Sequence, residues 1–227
     1  MRRTRTAIVT YTTACMACLF LILLAGCGDP TDNSAPPISP IFEENFDDSD
    51  LTTGNTWTIT GGYSTTFPLT STVSGGDAPI SGTNCLQSYR TAPDGFDEGY
   101  NIDLNNITPS YISFYMRVDS SDKVSLFLAY EDTDQQIFRV IFTDTGHVWG
   151  NATELDAATN IDTWYFFELK NIDWTNQTLD IHASNGTDTI APLIGVPFSN
   201  PASGLKKLIL TSADSGATAW YDEIIMY

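Results

Sequence analysis

From residue 41 to residue 227, apolar and polar side chains alternate in short runs that Gly, Asn, Asp, Ser and Pro interrupt, and no stretch keeps a helical period. Successive side chains on a strand point to opposite sides, so each run has one face for a core and one for other work. A chain built only of such runs hides its apolar faces by laying one sheet on another. Residues 41–227 are therefore expected to form an all-β, antiparallel two-sheet β-sandwich.

Phase assigns the faces. In 111–118, Ile112, Phe114, Met116 and Val118 share one side, and Tyr111, Ser113, Tyr115 and Arg117 share the other. In 123–131 the buried phase reads as Val124, Leu126, Leu128 and Tyr130, which puts Phe127 outside. In 136–142, Phe138, Val140 and Phe142 group against Ile137, Arg139 and Ile141. Further strands are expected at 98–104, 163–171, 178–183, 206–212 and 218–226, and Asn185-Gly186 suits a tight hairpin turn.

The N-terminal segment reads differently. Arg2, Arg3 and Arg5 precede an apolar run that ends at Leu24, and no acid occurs before Asp29, the pattern of an export signal. The run closes on Leu24-Ala25-Gly26-Cys27, which resembles the lipobox of bacterial lipoproteins. That resemblance implies cleavage before Cys27 and a diacylglyceryl group on its sulfur. Residues 1–26 are thus expected to be a lipoprotein signal peptide, 27–40 the lipidated Cys27 with a Pro-rich tether, and 41–227 the sandwich domain. Gly28 after the cysteine points, by the same resemblance, to the outer membrane.

Charge and cysteine usage follow from that cut. The full chain carries 28 acidic and 10 basic side chains, a formal net charge of −18, and removing residues 1–26 takes away three arginines and no acid, leaving −21. Clustered Lys and Arg are what nucleic acid requires, which argues against that partner, and an acidic surface repels polyanions, which weighs against alginate-like polymers as ligands. Cys15 and Cys18 leave with the signal, so their CxxC spacing has no redox meaning, and Cys85 remains as a lone thiol read as a small buried hydrophobe.

Several segments carry a family resemblance. Phe42-Glu43-Glu44-Asn45-Phe46-Asp47-Asp48 resembles the opening strand of concanavalin A-like, laminin-G-like jelly rolls. Ile112 to Val118 is similar to their central strand, and Ala219-Trp220-Tyr221-Asp222-Glu223-Ile224 to their closing strand. Trp164-Tyr165-Phe166-Phe167-Glu168-Leu169, followed by Asp173-Trp174 and Leu179-Asp180-Ile181, resembles one of their hairpins. The resemblance covers 41–227 and implies a jelly roll whose first and last strands are neighbours, with a structural calcium held there in related domains.

Two carboxylates conflict with the phase of their runs. Glu44 shares a face with Phe42 and Phe46, and Asp222 shares one with Trp220, Ile224 and Met226. A carboxylate among apolar side chains is costly unless it is paired, protonated or bound to a cation. Glu44, Asp47 and Asp222 are accordingly expected to contribute to one Ca2+ site, since that hard ion takes oxygen ligands; the alternative is a rim position in water or on backbone N–H groups.

Glu154-Leu155-Asp156 resembles the start of the Glu-x-Asp-x-x-Glu strand of laminarinase-type glucanases, but Thr159 stands where the second catalytic carboxylate belongs. Retaining hydrolysis needs two carboxyl groups about 5–5.5 Å apart. The only histidines are His147 and His182, which leaves little for His-based catalysis. The outward phase offers Tyr115, Arg117, Phe127 and Arg139, with Trp149 and His147 just beyond, as an aromatic and cationic platform for a sugar ring; the alternative is that they pack under loops. The reading is a lipid-anchored, non-catalytic domain that binds a neutral glycan. Its alternatives are a glycoside hydrolase or polysaccharide lyase with an atypical site, and a structural or adhesion lipoprotein docking an envelope protein on a flat apolar patch.

Overall fold

A computed structural model describes residues 39–48, 51, 54–61, 69–73, 77–90, 98–121, 123–132, 135–156, 158–187 and 190–227. The export segment, Cys27 and the tether through residue 38 lie outside the described residues.

Two antiparallel sheets face each other, and the described residues contain no helix. In the first sheet the strands are β1 (Phe42–Glu44), β3 (Leu69–Thr70), β4 (Cys85–Tyr89), β6 (Ile112–Val118), β11 (Tyr165–Asp173), β12 (Thr178–Ser184), β13 (Leu193–Pro197) and β15 (Thr218–Met226). Their order is β13-β12-β11-β6-β15-β4-β3, with β1 also paired to β15. The second sheet contains β2 (Thr58–Ile59), β5 (Tyr100–Ile107), β7 (Ser125–Asp132), β8 (Gln135–Phe142), β9 (Val148–Gly150), β10 (Thr153–Asp156) and β14 (Leu205–Ser212), in the order β10-β9-β8-β7-β14-β5-β2. The first and last strands are neighbours: Phe42 lies opposite Met226 and Glu44 opposite Ile224.

Facing side chains of the two sheets build the core. Phe114 of β6 stacks on Phe127 of β7 with centroids 3.8 Å apart and planes 2° from parallel, and Phe167 lies 5.1 Å from Phe114. Phe127 is therefore wholly buried between the sheets, which corrects its outward assignment. Strand β7 is apolar on both sides: Phe127 and Ala129 join the central core, while Leu126, Leu128 and Tyr130 form a second buried cluster with Ile209 and Ala213. Alternation cannot choose between two apolar faces.

A bulge corrects the phase of β15. Asp222 lies opposite Tyr115 and Ile225 opposite Ser113, so the register shifts between them, and Glu223 takes a φ of 51°. The extra residue reverses the parity of the strand. Ala219, Tyr221, Ile224 and Met226 all reach the core, whereas Trp220 packs with Cys85 and Val73 on the outer side, the side Asp222 shares. The tight turn expected at Asn185-Gly186 is also replaced: β12 does pair with β13, but β12 ends at Ser184 and β13 begins only at Leu193.

Candidate functional site

The outer side of the first sheet holds the site. Phe166 of β11 lies directly opposite Tyr115 of β6, and their rings sit 4.7 Å apart, tilted by 35°. Both are half-buried, because their strands turn Phe167, Phe114 and Met116 into the core and leave these two rings outward. Thr163 and Trp164 stand on one side, Ser184, Asn185 and Gly186 on another, and Ile80 on a third, enclosing a trough of about 400 Å³.

A segment from Asp77 to Asn84 crosses the rest of this face, and four acidic or basic side chains hold it there. The Asp222 Oδ2 accepts N–H bonds from Ile80 at 2.8 Å and Ser81 at 3.2 Å, while its Oδ1 accepts that of Glu223 at 2.9 Å. Glu223 accepts the Ser81 hydroxyl. Arg117, only 1% exposed, pairs with Asp77 at 2.8 Å and with Asp162 at 3.4 Å. Asp47 accepts the backbone N–H groups of Thr83 and Asn84, and Gly82 between them has a φ of 56° and no room for a side chain against that carboxylate.

Electrostatics follow from the same contacts. Burial pushes the Asp222 carboxyl up to about 7, against the pull of its three N–H donors and with help from the neighbouring Glu223. Burial first, then the charges of Glu223, Asp222 and Glu168, raise the Tyr115 hydroxyl, so it stays protonated and can donate. At Glu168, burial acts to raise the carboxyl, but Lys170 at 2.8 Å and the Tyr111 hydroxyl at 2.9 Å outweigh it and hold it below its ordinary value.

The structure splits the five residues of the expected platform. Tyr115 is in the trough, and Arg117 lies beside it as a buried ion-paired group that positions the Asp77 segment. Phe127 is core. Arg139 of β8 and Trp149 of β9 belong to the second sheet, with Trp149 opposite Ile141 and Arg139 opposite Leu128, so they face away from Tyr115. Phe166 and Trp164 were missed. Their signal was the even phase of Trp164-Tyr165-Phe166-Phe167-Glu168, which places Trp164, Phe166 and Glu168 on one side.

The three carboxylates assigned to calcium each meet N–H donors. Glu44 accepts from Phe46 N at 2.9 Å, from the Trp57 indole at 2.8 Å and from Asn55 Nδ2 at 3.2 Å. Asp47 and Asp222 are engaged as above. Bonds of this kind compete with a cation for these oxygens, and among the described residues no group of three or more His, Cys, Asp or Glu side chains gathers as metal ligands. The Glu154-Asp156 pair is likewise engaged: Glu154 with His147 at 2.8 Å, and Asp156 with the Tyr165 hydroxyl at 3.3 Å.

No family model and no curated protein matches the chain. Solved structures do match over most of it. Over 83% of its length the chain is similar to a sialidase, with a TM-score of 0.54 and 10% identity, but it spans only 19% of that protein. It is similar over 83% to the botulinum neurotoxin serotype D ligand binding domain in complex with N-acetylneuraminic acid, with a TM-score of 0.51 and 10% identity, spanning 47% of that chain. It is also similar to a Crh5 transglycosylase in complex with NAG, with a TM-score of 0.50, 14% identity and 82% of each chain covered. At such identities the likeness shows the fold: an all-β, two-sheet antiparallel sandwich.

Proposed function

We propose that this protein is a lipid-anchored, non-catalytic glycan-binding lipoprotein of the cell envelope, held at the outer membrane by an acylated Cys27, with the trough on its first sheet as the binding site for a neutral sugar. The observation that carries this reading is the Tyr115–Phe166 pair, two aromatic rings laid open at the floor of a walled depression. The C–H faces of a pyranose stack on such rings, while the Tyr115 hydroxyl and Ser184 offer hydrogen bonds to its hydroxyl groups. The excess of 28 acidic over 10 basic side chains disfavours anionic sugars. The fold neighbours include proteins whose structures contain N-acetylneuraminic acid or NAG, which supports sugar binding on this architecture as an analogy.

Titration of neutral oligosaccharides into the protein and its variants tests the site. Tyr115→Ala and Phe166→Ala are each expected to weaken binding by about tenfold or more, or about 1.4 kcal/mol, while Trp149→Ala on the opposite sheet leaves it unchanged. Wild-type affinity in both trough variants would retire the site.

A further inference from the structure

The trough is walled on two adjacent sides. Ser184, Phe166, Tyr115 and Asp222 are successive cross-strand partners on β12, β11, β6 and β15, so together they mark a line across the sheet. A chain of sugars resting on Tyr115 and Phe166 along that line meets Asp222 next, and Asp222 is completely covered by the backbone of Ile80 and Ser81. The Ile80 side chain, 39% exposed, stands at this end of the trough. Along the strands the beginning of β11 is closed in the same way by Thr163 and Trp164. The side over β12 is different. Its lining is Ser184 and the Asn185-Gly186 corner, and among the described residues a side chain at Gly186 would meet nothing within 4 Å.

The Ile80 wall is fastened at several points. Asp77 pairs with the buried Arg117, Ser81 bonds to both Asp222 and Glu223, and Thr83 and Asn84 bond to Asp47. Behind it Val73 packs on Cys85 and Trp220. A polymer passing straight through would have to lift this segment and break charge-assisted hydrogen bonds. An internal stretch of polysaccharide extends in two directions from any ring, and along the line from Ser184 to Asp222 one of those directions runs into the Ile80 segment. A volume of about 400 Å³ is also near the low end for small-molecule pockets, which suits a mono- or disaccharide.

We propose that the trough recognises the terminus of a glycan chain, not its interior: the end residue sits on Tyr115 and Phe166 against Ile80, and the chain leaves over Ser184 and Gly186. This rests on the glycan-binding reading above and adds the part of the molecule that is bound. The fastened segment from Asp77 to Asn84, which carries Ile80, sets the preference.

The test uses the full-length protein in detergent. An array of neutral glycans first identifies a bound sugar, and calorimetry then compares its oligosaccharides from disaccharide to octasaccharide with the intact polymer. Terminal recognition predicts affinities that stay within about twofold beyond the disaccharide, and polymer capacity that rises as partial hydrolysis creates chain ends. Affinity that climbs steadily with length, together with polymer binding indifferent to cutting, overturns terminal recognition while leaving glycan binding intact. Silence across the array overturns both.

Discussion

At Asp222 burial and hydrogen bonding pull in opposite directions, and burial wins. The folded carboxyl sits at about 7 against an ordinary 3.8, so the folded state takes up a proton more readily than the unfolded chain does. The stability this group contributes is full below about pH 4 and is lost as pH rises through about 7. Asp47, Asp180 and Glu131 are held below their ordinary values, so their contributions change only in more acidic solution. In the window from pH 5 to 8, the difference between the wild type and Asp222→Asn therefore reports Asp222. Thermal melts are expected to show Tm falling across that window in the wild type, and a flatter profile in Asp222→Asn. A wild-type profile that rises with pH would contradict the assignment.

At the scale of the strand, β7 and β15 decide where side chains go. Phe127 stacks in the middle of the core, so Phe127→Ala is expected to cost about 3–5 kcal/mol in chemical denaturation, the cavity cost of a buried ring. A change in sugar binding without that loss of stability would return Phe127 to the outer face. Most of the strands were legible from alternation, and 218–226 was legible to the residue, because turn residues bound them clearly. The phase of β7 was not, because Leu126 and Phe127 are both buried and both sides of the strand are apolar. Nor was the phase of β15, since nothing in Asp222-Glu223-Ile224 announces an extra residue in the strand. Tyr115 was legible as outward, but its partner Phe166 was hidden within an aromatic run whose other members, Tyr165 and Phe167, are core. Sequence phase also cannot say which sheet a strand joins, which is why Arg139 and Trp149 were grouped with a face they do not share.

At the scale of the whole molecule, two expectations concern what holds the domain together and what holds it in place. Since Glu44, Asp47 and Asp222 already accept N–H bonds, Tm is expected to be the same in EDTA and in millimolar calcium. A rise in Tm with calcium would place an ion at that rim after all. For the anchor, labelling cells with a clickable palmitate analogue is expected to mark the wild type and not Cys27→Ala, which should be released from the membrane fraction. Retention of Cys27→Ala with undiminished label would refute lipidation at that sulfur.

The position of β1 gives the fold a mechanical property. Force applied to the chain just before Ile41 arrives at a strand whose Ile41 N–H is bonded to Met226 O at 2.9 Å and whose three residues are paired antiparallel with the end of β15. Beyond this strand, Glu44 holds the Trp57 indole, Phe46 is buried beside Trp57, and Asp47 grips Thr83 and Asn84 in the segment that carries Ile80. Tension on the N-terminal side thus bears on the edge of the core and on the segment that closes the trough through one short stretch of chain, so stripping β1 from β15 loads both together.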